Sequence, residues 1–300
     1  MLPHYFRIAA FIAASVAVVG CAPSSITAQA PTFEPKRLDR ATVVLSFAGG
    51  SDSGLLSYNP NSELREQLRA AAGDALIRYA AYFDTVIEEP QQSPVSPALL
   101  QEAVTSYSEL RSETKEAVRR NTPLTLSAPS PLLALSEATG AHRSIVLYAT
   151  GWTKTTANRV LSTLALSNEP HSGIGIEATI YNAESAQVEW FGQHYADLNP
   201  AKPEEIEAVT AALVFELLTG RRVSAFSFLP WPEGDFVTVW PEEGGRMSGR
   251  IVRRDVFDVV LQQDGTEHRI PLSEVKRITQ TSGSRIFPSP RHSSSWRQAF

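Results

Sequence analysis

A single cysteine in 300 residues, Cys21, excludes an internal disulfide and leaves a structural zinc site without thiolate ligands. The histidines do not compensate, because His142, His171, His194, His268 and His292 are scattered and form no HxxxH, HxH or HExxH set. They read as ordinary surface histidines. No GxSxG elbow marks a hydrolase. The adjacent pairs Glu88-Glu89 and Glu204-Glu205 do not converge on one point from a strand end or a helix. Gly173-Ile-Gly175 opens a strand and lacks the third glycine of a phosphate loop, so it reads as a bend or a close backbone approach. Positive charge is in deficit as well: 27 Lys and Arg stand against 32 Asp and Glu, a net charge of −5. Such a chain has no long-range attraction for nucleic acid or an anionic membrane surface. No cofactor, metal or catalytic residue is expected.

What is present starts at the N terminus. His4 and Arg7 lead an uncharged apolar run, Ile8 to Val19, closed by Val18-Val19-Gly20-Cys21. The run is shorter than the roughly 20 residues that span a bilayer as a helix, and its layout is that of a secretory signal over residues 1–20. The cleavage region resembles the lipobox of bacterial lipoproteins, in which small residues precede an obligatory cysteine. That resemblance implies lipidation of Cys21, cleavage before it and anchorage in the membrane. Ala22, in place of an aspartate, implies sorting to the outer membrane, facing the periplasm. The alternative is an ordinary signal peptide with a chance cysteine. Residues 21–38 (CAPSSITAQAPTFEPKRL) carry no periodic apolar face and read as a flexible tether. Some 18 such residues reach roughly 20–25 Å.

Residues 39–222 read as an α/β (α+β) domain. A strand over Ala41–Phe47 is expected to stop at Gly49-Gly50, and a helix from Glu63 to Ala81 follows a cap at Asn61 or Ser62. Phe83–Ile87 reads as a second strand. Ala98 to Arg120 reads as a mostly polar surface helix without chemistry, and Ser130 to Thr139 as a short helix ended by Gly140. Arg143–Thr150 is a strong strand candidate, and residues 157–166 a short helix or excursion. Gly173–Tyr181 and Gln187–Tyr195 form a hairpin in which Val188, Trp190 and Gly192 are expected to share a face. Pro203 to Gly220 closes the domain as an amphipathic helix whose first-turn acids, Glu204, Glu205 and Glu207, suit the macrodipole. The order predicts a mixed sheet with helices packed on it.

Beyond the connector Arg221–Pro232 the texture changes. Val237–Trp240, Met247–Val252, Phe257–Leu261, Glu267–Ile270 and Val275–Ile278 are short strands with turns at Gly244-Gly245 and Asp264-Gly265. Residues 235–280 therefore read as a small five-stranded β-barrel, and 281–300 as a disordered tail. Of the tryptophans, Trp190 reads as core. Trp231, between two prolines, reads as an interdomain clamp or partner contact, with Trp240 beside it as a second contact.

Two resemblances bear on fold. The strand Ala41–Phe47, the run Gly140-Ala-x-x-Ser-Ile-Val-Leu-Tyr148, and the hairpin Ile176–Asn182 with Ala186–Phe191 resemble the curli-secretion-lipoprotein and TolB-N-terminal-like group. Members of that group assemble or regulate envelope machinery. Gly249–Leu261 resembles the first motif of Sm-like proteins, and Ile270–Ile278 their closing strand. Asp258 stands where RNA-binding relatives place an amide or aromatic, and its carboxylate would repel phosphate. The expectation is a non-catalytic envelope binding, scaffold or assembly module. Its partners are the membrane through Cys21, other envelope proteins and, as an open alternative, further copies of itself; nucleic acid is excluded. The rivals are a periplasmic enzyme acting on an envelope substrate such as peptidoglycan, and a ring-forming secretion subunit.

Overall fold

The computed structural model describes residues 25–35, 38–53, 58–88, 95–158, 160, 170–229, 234–241, 243–255 and 257–280. Seven strands form one mixed sheet: β1 (Ser25–Gln29), β2 (Arg40–Ser53), β3 (Tyr58–Pro60), β4 (Val86–Glu88), β5 (Arg143–Lys154), β6 (Ser172–Asn182) and β7 (Gln187–Ala196). Their order is β1-β7-β6-β5-β2-β3, with β4 also paired to β2. β2 runs parallel to β5, and β5, β6, β7 and β1 are successively antiparallel. The central strand β6 is buried along nearly its whole length. Its two faces pack in different cores because helices cover both sides. Helices α1 (Ser62–Ala81) and α4 (Pro203–Thr219) pack together on one face, and α2 (Pro97–Arg119) and α3 (Ser130–Thr139) on the other.

The helix ends follow the expected chemistry. Asn61 accepts a hydrogen bond from the Leu64 N–H at 2.9 Å, while Gly140 and Gly220 end α3 and α4 in the left-handed region, at φ 67° and 68°. Asp52 at the end of β2 holds this corner, accepting from Asn61 Nδ2 at 3.1 Å and from Thr153 Oγ1 at 2.9 Å.

Several expectations are corrected. The tether does not extend over residues 21–38: Ser25–Gln29 is an edge strand on β7, and Ala30, Phe33 and Leu38 are buried in the core. Composition misled here because an edge strand can be built from Ser, Thr, Ala and Gln once its backbone groups are paired. The glycines at 49 and 50 do not stop β2, which runs on to Ser53. A Cβ on Gly50 would lie 2.8 Å from the Asn61 carbonyl and the Arg65 amide, so the glycine admits the first turn of α1. The second strand is shorter than expected and Phe83 lies in the turn before it. In the hairpin, a register shift at Ile180/Tyr181 leaves Glu189 out of the pairing. Val188 therefore packs with Phe191 on the α2 side and Trp190 on the α1 side, so Val188 and Trp190 do not share a face. The excursion expected over 157–166 falls mostly outside the described residues.

The C-terminal strands, β8 (Phe236–Pro241), β9 (Met247–Asp255), β10 (Asp258–Gln263), β11 (Thr266–Pro271) and β12 (Val275–Gln280), pair antiparallel in the order β11-β10-β9-β8-β12. Asp264 and Gly265 both take positive φ, as a two-residue primed turn requires. β11 and β12 are joined by a 3-10 turn, Leu272–Glu274. The unit is the small five-stranded antiparallel sheet expected from sequence, with no ladder between β11 and β12 among the described residues. It is joined to the larger sheet through Phe257, just before β10. The Phe257 ring lies 4.6–5.9 Å from those of Tyr79, Tyr82, Phe83, Phe215 and Phe228. One continuous hydrophobic core includes Leu76 of α1, Val209 of α4 and Val239, Ile251 and Val259 of the smaller sheet.

Candidate functional site

The residues singled out from sequence are placed unevenly. Cys21 and Trp231 lie outside the described residues. Trp240 is half-buried on β8, paired in register with Arg277. Among the described residues, Phe257 lies at the centre of the contact between the two sheets.

Ionisable chemistry gathers instead at three buried carboxylates, Glu177, Glu216 and Asp258. Glu177 sits in the middle of β6, facing α2. Arg111 Nε donates to its two oxygens at 2.7 and 2.8 Å, Lys115 Nζ lies 3.0 Å away, and Tyr107 Oη donates at 2.9 Å. Tyr107, Arg111 and Lys115 recur every four residues and so share one face of α2. The Arg111 guanidinium lies over the Tyr148 ring at 4.9 Å, and Phe47 stacks on Tyr148 at 4.6 Å. Burial pushes the Tyr107 phenol well above its ordinary range, so it stays a neutral donor. Burial also pulls the Lys115 ammonium down, against the opposing charge of Glu177. Both Glu177 oxygens are engaged by donors, so the carboxylate serves as a structural acceptor. The polar surface helix expected over 98–120 therefore carries the cations of a buried ion network. A lone glutamate inside a strand buried on both faces was the readable signal, because such a charge needs a partner.

The second cluster seats β1. His194 on β7, only 3% exposed, places Nε2 2.6 Å from Glu216 Oε2 on α4. Glu216 Oε1 accepts from Thr27 Oγ1 at 2.8 Å and from Arg222 Nε at 3.1 Å, and Arg222 Nη2 donates to Thr27 at 2.9 Å. Burial works to raise the Glu216 carboxyl, but the His194 hydrogen bond and charge, with Arg222 and Thr27, hold it below the usual value. Ser25 is the cross-strand partner of His194, so hydroxyl, imidazole and carboxylate face the same side. With exposures of 5, 3 and 5%, the three are closed to a substrate. His194 is thus not the surface residue expected from sequence.

The third carboxylate is Asp258. It accepts from Arg269 Nε at 2.7 Å and from Tyr82 Oη at 3.0 Å. It is occupied inside the fold, beneath the interface between the two sheets.

An open cleft of about 550 Å³ lies at the sheet end where β2 and β5 begin. Arg40, Glu88, His142, Arg143, Asn182 and Glu184 line it. Its charges are paired across the opening, Arg40 with Glu88 at 2.6 Å and His142 Nδ1 with Glu184 at 2.8 Å. These groups are largely exposed, and they offer a partner both signs of charge on a recessed surface. No group of three metal-ligating side chains occurs among the described residues. No helix among them is long and apolar enough to cross a membrane.

No family model and no curated protein matches the chain. Among solved structures it is similar to a PelC dodecamer from Paraburkholderia phytofirmans, at 9% identity over 66% of this chain and 98% of that one, with a TM-score of 0.33. It is also similar to the LpoB C-terminal domain from Salmonella enterica, at 11% identity over 56% of this chain and 87% of that one, with a TM-score of 0.24. Both are partial overlaps of chain path, and neither bears on chemistry.

Proposed function

We propose that this is a lipid-anchored, periplasm-facing envelope protein that works by binding other envelope proteins, as a scaffold, regulator or assembly subunit, and not by catalysis. The signal segment and Cys21 supply the anchor in this reading. One observation carries the rest: the buried carboxylates Glu177, Glu216 and Asp258 are each tied to cationic or hydroxyl donors from another structural element. Their chemistry goes into joining elements. What the described residues offer at the surface is a recessed, mixed-charge cleft of the kind that suits a polar protein contact.

Metabolic labelling with a palmitate analogue tests the anchor. The wild type should incorporate label, and Cys21→Ser, which cannot form the thioether, should not and should remain uncleaved. Label retained by the variant would overturn the anchor. The soluble form, residues 22–300, should be inert on peptidoglycan and should fail to restore envelope integrity in a deletion strain. Hydrolysis by the soluble form, with full complementation, would establish the enzyme reading instead.

A further inference from the structure

We propose that the end of the main sheet carrying Trp152, Tyr195 and Val160 is the surface this protein lays against the lipid headgroups. The proposal rests on the lipid anchor at Cys21 and concerns how the anchored molecule is oriented. Four covalent steps separate Cys21 from Ser25, a span of at most ~14 Å when fully extended. Ser25 is not a loose end. β1 pairs with β7 from Ser25 onward, and Thr27 is held by Glu216 and Arg222. The lipid is thus attached within one short span of a fixed point on the fold, where composition had suggested a long flexible reach.

That fixed point selects one end of the sheet. Ser25 lies opposite His194, and the next residue of β7, Tyr195, lies opposite Gly175 of β6. Trp152 near the end of β5 lies opposite Gly173 of β6. A Cβ on Gly173 would meet both the Tyr195 hydroxyl and the Trp152 indole nitrogen, so the two polar tips converge over this glycine. Both side chains are half-buried, leaving part of each ring at the surface. Val160 is 53% exposed, two residues beyond Asn158, whose amide donates to the Ser53 carbonyl at the end of β2. The start of β1, the aromatic tips on β5 and β7 and the exposed Val160 near the end of β2 therefore lie at one and the same end of the sheet. An indole and a phenol, each an apolar body with one polar atom, match the chemistry of the headgroup level of a bilayer. The opposite end of the same strands holds Arg40, Glu88, His142 and Glu184, whose charges favour water. Anchored in this way, the molecule directs its mixed-charge cleft away from the membrane and toward soluble partners.

The test uses the mature lipidated protein in phosphatidylcholine vesicles containing doxyl-labelled lipid. Because the Cys21 thiol is consumed by its lipid, Val160→Cys and Glu184→Cys each offer one site for an environment-sensitive dye. The dye at position 160 should shift to the blue and lose emission to the quenching lipid, while the dye at 184 should be unaffected. Equal behaviour at the two positions, or quenching at 184 alone, would overturn the orientation. Flotation of the vesicles reports the anchor separately. Protein that fails to float overturns the anchored reading, whereas protein that floats with position 160 unquenched overturns only the orientation.

Discussion

At the scale of single residues, two side chains organise most of what is distinctive here. Glu177 is a charge in the middle of a strand that is otherwise buried and apolar, and it is stable there because Arg111, Lys115 and Tyr107 reach it from one helix face. Removing it leaves two cations without their counter-charge in a partly dry environment. Glu177→Ala should cost about 3–5 kcal/mol, the usual penalty for breaking a buried ion pair by deleting one partner. Urea denaturation checks this, with Glu177→Gln, which keeps the shape and some hydrogen bonds, falling between variant and wild type. Phe257 is the apolar counterpart. Its ring faces five others, from α1 and the turn after it, from α4 and from the short 3-10 helix Ala225–Phe228, so Phe257→Ala opens a cavity under both sheets and should cost about 3–5 kcal/mol. A loss below about 1 kcal/mol would mean that the neighbours close over the gap.

At the scale of elements, β1 is the one whose position depends on charge. A five-residue edge strand with little apolar surface has few packing contacts, and its place is set by ladder hydrogen bonds and by the Thr27–Glu216–Arg222–His194 network. The pKa of Glu216 is held below its ordinary value in the fold, so its contribution is present above that ordinary value. It is lost as pH falls through the lower, folded-state value, when protonation removes the charge that His194 and Arg222 face. Amides of residues 25–29, measured against their intrinsic exchange rates, should therefore be protected at neutral pH and lose that protection on acidification before the central strands β5 and β6 open. Glu216→Gln should show the loss of protection already at neutral pH. Protection that persists in this variant would mean that the ladder alone holds the strand.

For the whole molecule, the smaller sheet shares its core with α1 and α4, so the two sheets should unfold together. Heating residues 22–300 should give one cooperative transition by calorimetry, and the isolated segment 235–280 should lack a folded baseline, since so short a chain buries too little apolar surface by itself. Two separated transitions, or a stable fragment, would show that the shared core contributes little.

Much of this protein is legible along the chain because its signals are local. The periodicity of α1, the left-handed glycines that end α3 and α4, the Asp264-Gly265 turn and the order of strands and helices follow from spacing and backbone preference within a few residues. What tertiary structure alone decided concerns residues brought together from far apart. Ser25–Gln29 has the composition of a linker and becomes a strand because the open edge of β7 needs a partner. His194 resembles any surface histidine until Glu216 arrives on a helix packed against it. Arg111 and Lys115 look like solvated charges until β6 presents Glu177. Polar side chains at this distance in sequence carry no local mark of their partners. Burial in a low-dielectric interior requires that they pair, and only the packing of the sheets and helices determines with what.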